Sequence, residues 1–287
     1  LPANQRAFDT FPPRRGLGNS TGNVGVPKKK LARRESHATA STTKHMDRRL
    51  ILNADDYGRC VEINSAVEEL IEANRLRDVS VLVNGQLLNS AIRFLKSNAQ
   101  VSVGVHWNAV EGVPVSQASA IEVLTDGSGE FVRLGRLLRR WLAHPLAVSR
   151  AVELEWRAQV ETLLNAKLEL SHADSHQHLH AFPQAWRIAT KLCREYGIPA
   201  LRLPRERSEL PLRRAGAWAL GASLSVARLL TDSKGLIHND QLLGFKRAGA
   251  YDLATLLEDM RKSPGGLTEI ALHPSTTDRI PYAGLLG

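Results

Sequence analysis

Four of the ten histidines in this chain lie within nine residues of one another, and an aspartate lies among them. The four are His172, His176, His178 and His180, and the aspartate is Asp174. Imidazole binds a divalent metal through one nitrogen while a carboxylate or carbonyl orients the other. Because a fold does not need histidines at this density, the cluster favours metal ligation. A fortuitous metal-binding tract is the alternative that the cluster alone leaves open.

Three other predicted strands run into polar residues of the same kind. Asp55 and Asp56 follow the first strand, and adjacent carboxylates are costly beside a buried strand unless a cation or a functional proton accompanies them. His106 follows the third strand and His273 the last. Taken singly, the double aspartate is a common turn signal and a lone histidine is usually a hydrogen-bonded residue near a core. Because each group occupies the same end of its own strand, we predict that they meet at one site.

Alternating strand and helix patterns position these groups. The predicted strands are residues 50–52, 79–83, 101–105, 168–173, 200–203 and 268–272, and the predicted helices are 61–73, 91–97, 151–164, 183–196, 215–230 and 253–262. Such alternation indicates parallel βαβ units. Six alternations favour an α/β fold of the (β/α) barrel type over an open sheet, and barrel enzymes keep their sites at the carboxyl ends of the strands.

Residues 131–152 interrupt this rhythm with a basic amphipathic pattern. Its arginines are Arg133, Arg136, Arg139, Arg140 and Arg150. Such a stretch can lie on a membrane surface. The interpretation we favour is an insertion helix that packs on the body and leaves its arginines in solvent.

Charge is concentrated at one end of the chain. The 287 residues carry a net charge of +9, and residues 1–45 hold nine of the 38 basic and two of the 29 acidic residues. We therefore predict a disordered basic tail over 1–45 and a single barrel domain over 46–287. The nearly neutral body argues against a nucleic-acid partner.

Cysteine content and hydropathy bear on location. Cys60 and Cys193 are too few for a disulfide framework, which predicts a reducing compartment, and we expect a cytoplasmic protein. The longest uncharged apolar stretch, 215–227, is too short to cross a bilayer.

Taken in chain order, the motifs resemble those of the YdjC-like carbohydrate deacetylases, a family that includes chitooligosaccharide deacetylases. The motifs are Asn53-Ala54-Asp55-Asp56-Tyr57-Gly58, Val83-Asn84-Gly85, Val105-His106-Trp107-Asn108 with Glu111-Gly112, Asp174-Ser175-His176-Gln177-His178-Leu179-His180 and Leu272-His273-Pro274. Three more are similar to the hopanoid-associated branch: Arg202-Leu203-Pro204, His238-Asn239-Asp240 and Leu267-Thr268-Glu269-Ile270. Family members continue past the equivalent of residue 287, so we expect a truncated carboxyl terminus.

The resemblance implies a distorted, TIM-like (β/α) barrel with one divalent metal that removes the N-acetyl group of an amino sugar. The implied metal ligands are Asp56, His106 and His176, with Asp55 as the general base and His273 as the acid. The side chains implied to line the sugar pocket or to support the ligands are Asn84, Asn108, Asp174, His178 and His180. Arg202 is expected to pair with Asp55, with an exposed arginine after a strand as the alternative.

The metal, the partners and two other functions stay open at the level of sequence. Mixed nitrogen and oxygen ligands suit Zn²⁺, whereas the resemblance implies Mg²⁺. We expect an N-acetylated sugar or glycolipid as substrate, peripheral membrane contact and a homodimer. Hydrolysis of another amide or ester is an alternative. A weaker one is a non-catalytic module whose basic tail binds nucleic acid or anionic lipid while the histidines hold a structural ion.

Overall fold

The computed structural model describes residues 48–205, 233–244, 253–263 and 265–277, which lie in one compact unit, His45–Gly287. In this part of the chain the strands are β1 (Arg48–Tyr57), β2 (Asp78–Val81), β3 (Ser102–Trp107), β4 (Leu170–Ser175), β5 (Ala200–Leu201), β6 (Gln241–Leu243) and β7 (Gly266–Leu272). The helices are α1 (Val61–Glu72), α2 (Leu88–Ser97), α3 (Ala118–Ile121), α4 (Leu134–Ala143), α5 (Pro145–Asn165), α6 (Pro183–Tyr196) and α7 (Leu253–Lys262). Two 3-10 helices span Glu122–Leu124 and His176–Ala181.

The sheet is parallel throughout, in the order β5-β4-β3-β2-β1-β7-β6. Neighbouring strands are consecutive in the chain except at β1 and β7, where the first strand meets the last. A doubly wound open sheet would instead reverse its order at a switch point. The outer strands approach each other because Ala200 forms a parallel bridge with Ile237 and the Leu242 amide donates to the Arg205 carbonyl at 3.0 Å. The sheet therefore curls into a distorted barrel, which confirms the predicted fold class.

Helix α5 packs against the end of β3 and fixes the loop that follows it. Trp107 and Trp156, both fully buried, stack with ring centroids 4.9 Å apart. Gln159 is also buried, and it accepts from the Asn108 amide at 2.9 Å and donates to the Asn108 carbonyl at 2.7 Å. One turn earlier, the buried carboxylate of Glu155 accepts two backbone amides of the same loop, from Val115 at 3.0 Å and Ser116 at 2.9 Å. The loop over 108–116 is thus anchored by polar side chains of α5.

Two parts of the fold differ from the sequence-based expectation. Strand β6 was not predicted, because three residues between loops carry too short a pattern. The single insertion helix predicted within 131–152 is instead α4 followed by the first turns of α5, since Pro145 ends one helix and begins the next. The predicted helix 215–230 lies outside the described residues. No helix in the described part of the chain has the length and apolarity that a bilayer crossing requires.

Close packing inside the barrel makes one glycine of β3 sensitive to substitution. A Cβ on Gly104 would lie 2.3 Å from ring atoms of His172, whereas one on Gly135 in α4 would meet nothing within 4 Å. We expect Gly104→Ala to lower the free energy of unfolding by about 1–3 kcal/mol through overpacking. Gly135→Ala should leave it unchanged or raise it by up to about 1 kcal/mol, because alanine favours a helix. Urea unfolding of both variants tests this, and equal stabilities would contradict it.

Candidate active site

An irregularity at the end of β1 aims two adjacent carboxylates at different partners. Successive side chains of a regular strand point to opposite faces. The pairing of β1 with β2 shifts register between Ala54 and Tyr57, and Asp56 adopts a left-handed backbone with φ of 62°. Asp55 and Asp56 are both buried. As a result, both carboxylates have partners inside the site, yet they contact different groups.

Asp56 lies where two histidines converge. Its Oδ1 is 3.2 Å from Nε2 of His106, at the end of β3, and 2.9 Å from Nδ1 of His176, directly after β4. One ligand atom from each of the three residues lies within 4.8 Å of the others, so the group could hold a metal ion. The structure therefore brings together the three residues expected as metal ligands.

The remaining nitrogen of each ring faces a carboxylate. Nδ1 of His106 is 2.8 Å from Asp174 of β4, and Nε2 of His176 is 3.0 Å from Glu111 in the loop after β3. Metal-binding histidines are commonly oriented in this way. Nε2 of His106 is buried and makes no hydrogen bond of good geometry to any described residue. An unsatisfied ring nitrogen aimed at a carboxylate is what a cation between them would satisfy, so these residues fit a metal.

The electrostatics of this group favour positive charge. Burial lowers the pKa of His106, but Asp174 and Asp56 outweigh it and raise the value to about 10. Burial likewise lowers the pKa of His176, and its hydrogen bonds to Asp56 and Glu111 raise it above the ordinary value. Burial raises the pKa of Asp56, while its contacts with the two rings hold it well below its ordinary value. The carboxylates thus create a strongly negative potential at the point where a cation would bind.

Arg202, directly after β5, is buried in a cluster of three carboxylates. Its Nη1 and Nη2 each lie 2.7 Å from an oxygen of Asp55, and Nη1 is also 2.7 Å from Oδ2 of Asp174. Its Nε donates to Glu269 of β7 at 2.7 Å. Arg202 is 3% exposed, so the alternative of a surface arginine is wrong. The predicted pairing of Arg202 with Asp55 is present as a bidentate salt bridge.

Beneath this cluster a polar layer holds the carboxylates in place. The side-chain Nδ2 of Asn53 donates to Oδ1 of Asp55 at 2.7 Å and to Oγ of Ser80 at 2.9 Å. The Ser80 hydroxyl in turn donates to Oδ2 of Asp174 at 3.1 Å. Nε2 of His172 lies 3.0 Å from the side-chain Oδ1 of Asn53. Because this oxygen can only accept a hydrogen bond, Nε2 of His172 carries the proton. His172 therefore belongs to the layer below the site, while His176 belongs to the site.

The expected acid lies beside Asp55, whereas two of the expected pocket residues contact the loop after β3. His273 follows β7, its side chain is 33% exposed, and its Nε2 lies 4.0 Å from Oδ2 of Asp55. Asn84 and Asn108 contact each other at 3.0 Å, and both donate to the Glu111 carbonyl, so they brace the loop over 108–116. Their sugar contacts stay a prediction, as do those of the two remaining histidines.

Those two histidines follow β4 in the 3-10 helix. His180 is buried, and its ring nitrogens lie 2.5 Å from Ser175 Oγ and 3.0 Å from the Arg202 carbonyl. Burial lowers its pKa to about 4, so the ring is neutral. His178 is buried with its ring 6.2 Å from that of His180 and edge-on to it, and its backbone is left-handed with φ of 52°. Both rings lie beside the site without joining the Asp56 group.

Three residues of the site had no role in the sequence-based expectation. Glu269 lies within the largely apolar strand β7, and a carboxylate at such a position is the sequence feature that could have pointed to it. Burial raises its pKa to about 7 despite the contact with Arg202. Glu111 and Arg59 contact each other, and Arg59 Nη1 lies 3.0 Å from Oδ2 of Asp56. Both are on loops and partly exposed, where sequence pattern gives no signal.

A (β/α) barrel whose strand ends present a metal-ligand group beside an arginine-held carboxylate has the architecture of a barrel enzyme. Comparison with known proteins then defines the family. The chain belongs to the YdjC-like protein family, whose model matches residues 49–283, which confirms the resemblance seen in the motifs.

Several relatives carry the name carbohydrate deacetylase. The protein of that name from Brevibacillus brevis is 30% identical over 241 residues, covering 82% of this chain and 85% of its own. The mouse protein is 29% identical over 261 residues, covering 83% and 81%, and the human protein 28% over 257 residues, covering 82% and 77%. The similarity thus extends over most of each protein.

A solved structure has the same fold. It is a protein of Enterococcus faecalis V583 provisionally described as a cellobiose-phosphate cleavage protein, with a TM-score of 0.59 and 21% identity. The match covers 80% of this chain and 82% of that one. At this identity the comparison supports the barrel fold alone.

The burial of Arg202 predicts a large and pH-dependent effect of removing its charge. We expect Arg202→Met to lower the free energy of unfolding by about 3–5 kcal/mol at pH 8, because Asp55, Asp174 and Glu269 are left buried without their cation. Without the guanidinium, which lowers the pKa values of Asp174 and Glu269, those two values rise, so the folded state binds more protons than the unfolded state. The loss should therefore shrink as pH falls toward 5.

A matched arginine provides the control for this variant. Arg157 is 30% exposed and pairs with Glu153 and Glu195 on the surface. Arg157→Met should cost at most about 1 kcal/mol, with little dependence on pH. Urea titrations of both variants at the two pH values decide the matter. Equal losses, or an Arg202→Met loss that grows as pH falls, would contradict the role of the buried cluster.

Proposed function

We propose that this chain is a metal-dependent hydrolase that removes the N-acetyl group from an N-acetylated amino sugar. The observation that carries the proposal is the convergence of Asp56, His106 and His176 beside Asp55 at the carboxyl end of the barrel. The relatives named carbohydrate deacetylases support the substrate class. The chemistry of the site supports the reaction type.

Asp56, His106 and His176 would hold one divalent ion. Two imidazoles and one carboxylate leave coordination positions open, as a catalytic site requires. When bound, such an ion polarises a carbonyl oxygen and makes a nearby water more acidic. The mixed ligand set suits Zn²⁺, and Mg²⁺ is the second candidate from the family resemblance.

Asp55 is the proposed general base. Asp55 would accept the proton of the attacking water as the new C–O bond forms at the amide carbon. Arg202 and Asn53 contact its oxygens at 2.7 Å, which fixes the position of the carboxylate. A base held in this way is preorganised for proton removal and does not need to move.

His273 is the proposed acid. When the tetrahedral adduct collapses, the C–N bond breaks, and the sugar nitrogen must gain a proton to leave as an amine. His273 lies 4.0 Å from Asp55 across the site and is partly exposed, so it can reach a substrate that enters from the mouth. Acetate and the free amino sugar are then the products.

Metal binding by the three ligands can be measured without turnover. We expect calorimetric titration of the chelator-treated chain with Zn²⁺ or Mg²⁺ to give one site per chain. His106→Ala and His176→Ala should each abolish that site, because too few ligands remain. Asp174→Asn should weaken it by about 10- to 100-fold, because His106 loses its orienting carboxylate.

An exposed histidine serves as the control for these variants. His144→Ala changes a residue at the exposed α4–α5 junction and should leave the affinity unchanged. If all variants bind the ion as tightly as the unchanged chain, the three residues are not its ligands.

Two variants separate the proposed base from the proposed acid. On an N-acetylated chitooligosaccharide, Asp55→Asn and His273→Gln should each lower kcat by about 10²- to 10⁴-fold in acetate release. On 4-nitrophenyl acetate, whose leaving group needs no proton, His273→Gln should keep its activity while Asp55→Asn still loses it. Asp126→Asn, at an exposed turn, is the control and should behave like the unchanged chain. Equal losses of His273→Gln on both substrates would refute its role as acid.

A further inference from the structure

The junction of α4 and α5 exposes a run of apolar residues that the proposed chemistry does not use. We name residues 142–147, Leu142-Ala143-His144-Pro145-Leu146-Ala147, the leucine corner; all six are exposed. Leu142 is 85% and Leu146 74% exposed, more than any other large apolar side chain described. Single exposed leucines are ordinary in proteins. Two at one convex turn, with only one polar side chain between them, form an apolar projection.

Arginines flank the leucine corner on both helices. Arg139 precedes Leu142 by three residues on α4, and Arg150 follows Leu146 by four on α5, so each arginine lies beside a leucine on the helix surface. Both arginines are exposed. Arg133 is exposed as well, close to the start of α4. Arg139 and Arg150 thus lie beside the two leucines, while Arg133 adds positive charge at the far end of α4.

The positive charge of residues 131–152 is not balanced within that segment. Residues 131–152 contain five arginines and no aspartate or glutamate. Among the described residues, Arg133, Arg139 and Arg150 form no ion pair with a carboxylate. Arg140 is different, because its guanidinium donates to the carbonyls of Val123 and Thr125 and so fixes α4 to the body. The helix is therefore firmly attached while its outer arginines remain available.

The leucine corner projects on the same side of the barrel as the candidate active site. The Gln159 side chain of α5 is level with the end of β3, because it contacts Asn108. The carboxyl end of α5 leads into the start of β4, so its amino end extends past the carboxyl ends of the strands. Leu146 precedes Gln159 by 13 residues, which places it about 20 Å beyond that level along the helix.

We propose that the leucine corner inserts into the interface of a bilayer that contains anionic lipids. Leu142 and Leu146 would enter the boundary of headgroups and acyl chains, while the flanking arginines contact lipid phosphates. The two projecting leucines suit insertion into a yielding surface, and the arginines that form no ion pair are complementary to an anionic one. The mouth of the barrel would then face the membrane. The contact is independent of the proposed chemistry.

Vesicle co-sedimentation of the full chain tests this contact. We expect binding to vesicles of phosphatidylcholine and phosphatidylglycerol, little binding to phosphatidylcholine alone, and a decline as salt rises. The double variant L142S/L146S should weaken binding by about tenfold or more, because two apolar side chains no longer insert. The triple variant R133Q/R139Q/R150Q should weaken binding to the anionic vesicles by about a hundredfold.

Matched variants elsewhere on the surface provide the controls. Leu257→Ser removes an exposed leucine of α7, and R75Q/R77Q/R93Q removes three exposed arginines near β2 and α2. Both should bind vesicles as the unchanged chain does. Thermal unfolding of every variant should match the unchanged chain, because all of these side chains are exposed.

Three outcomes would overturn the proposal. They are failure of the unchanged chain to bind anionic vesicles, equal binding by L142S/L146S, and a dimer in light scattering that this variant dissociates, which would assign the leucine corner to a second copy. Turnover of a soluble chitooligosaccharide separates this proposal from the proposed function. L142S/L146S should keep the turnover of the unchanged chain. If neither the unchanged chain nor any variant turns this substrate over, the proposed chemistry is refuted, whatever the result for vesicle binding.

Discussion

The site depends on the buried guanidinium of Arg202, which carboxylates from three strands of the barrel contact. Arg202 contacts Asp55 of β1, Asp174 of β4 and Glu269 of β7, each at 2.7 Å. Removing a guanidinium and three carboxylates from water is costly, and only close contacts with good geometry offset that cost. Asp55 and Asp174 also belong, with His106, to a second group of potential metal ligands. The guanidinium occupies the space between these two carboxylates, so the group of Asp56, His106 and His176 is the one that could hold an ion.

The separate contacts of Asp55 and Asp56 follow from a local departure from strand geometry. A regular strand would direct one of the two side chains away from the barrel interior. The left-handed backbone at Asp56 and the register shift before Tyr57 allow both to stay inside. Such backbone conformations are unfavourable for residues other than glycine and persist where the surroundings impose them. Here the contacts of Asp56 with His106 and His176 supply that stabilisation, so the site and the bulge depend on each other.

Sequence pattern was sufficient for the parts of the fold in which periodicity is strong. The alternation of strands and helices identified the barrel, and the shared strand-end position predicted that its carboxylates and histidines meet at one site. The family resemblance selected Asp56, His106 and His176 among them, and the structure brings these three together. Sequence pattern was insufficient for β6, whose three residues carry no period. It also could not assign Glu111, because a glutamate on a loop reaches His176 only through the fold of that loop. Burial of Arg202 was equally undetermined, since arginine after a strand is compatible with solvent as well as with a carboxylate cluster.

Helix α5 connects the candidate active site with the leucine corner. Through Glu155 and Gln159 it fixes the loop that carries Glu111, and Glu111 in turn orients His176. The same helix extends beyond the strands and begins in the leucine corner. A rigid helix of about six turns transmits position between its ends without local rearrangement. A lipid surface at the leucine corner would therefore lie at a fixed distance from Asp56, His106 and His176, and the length of α5 past the strands would set that distance.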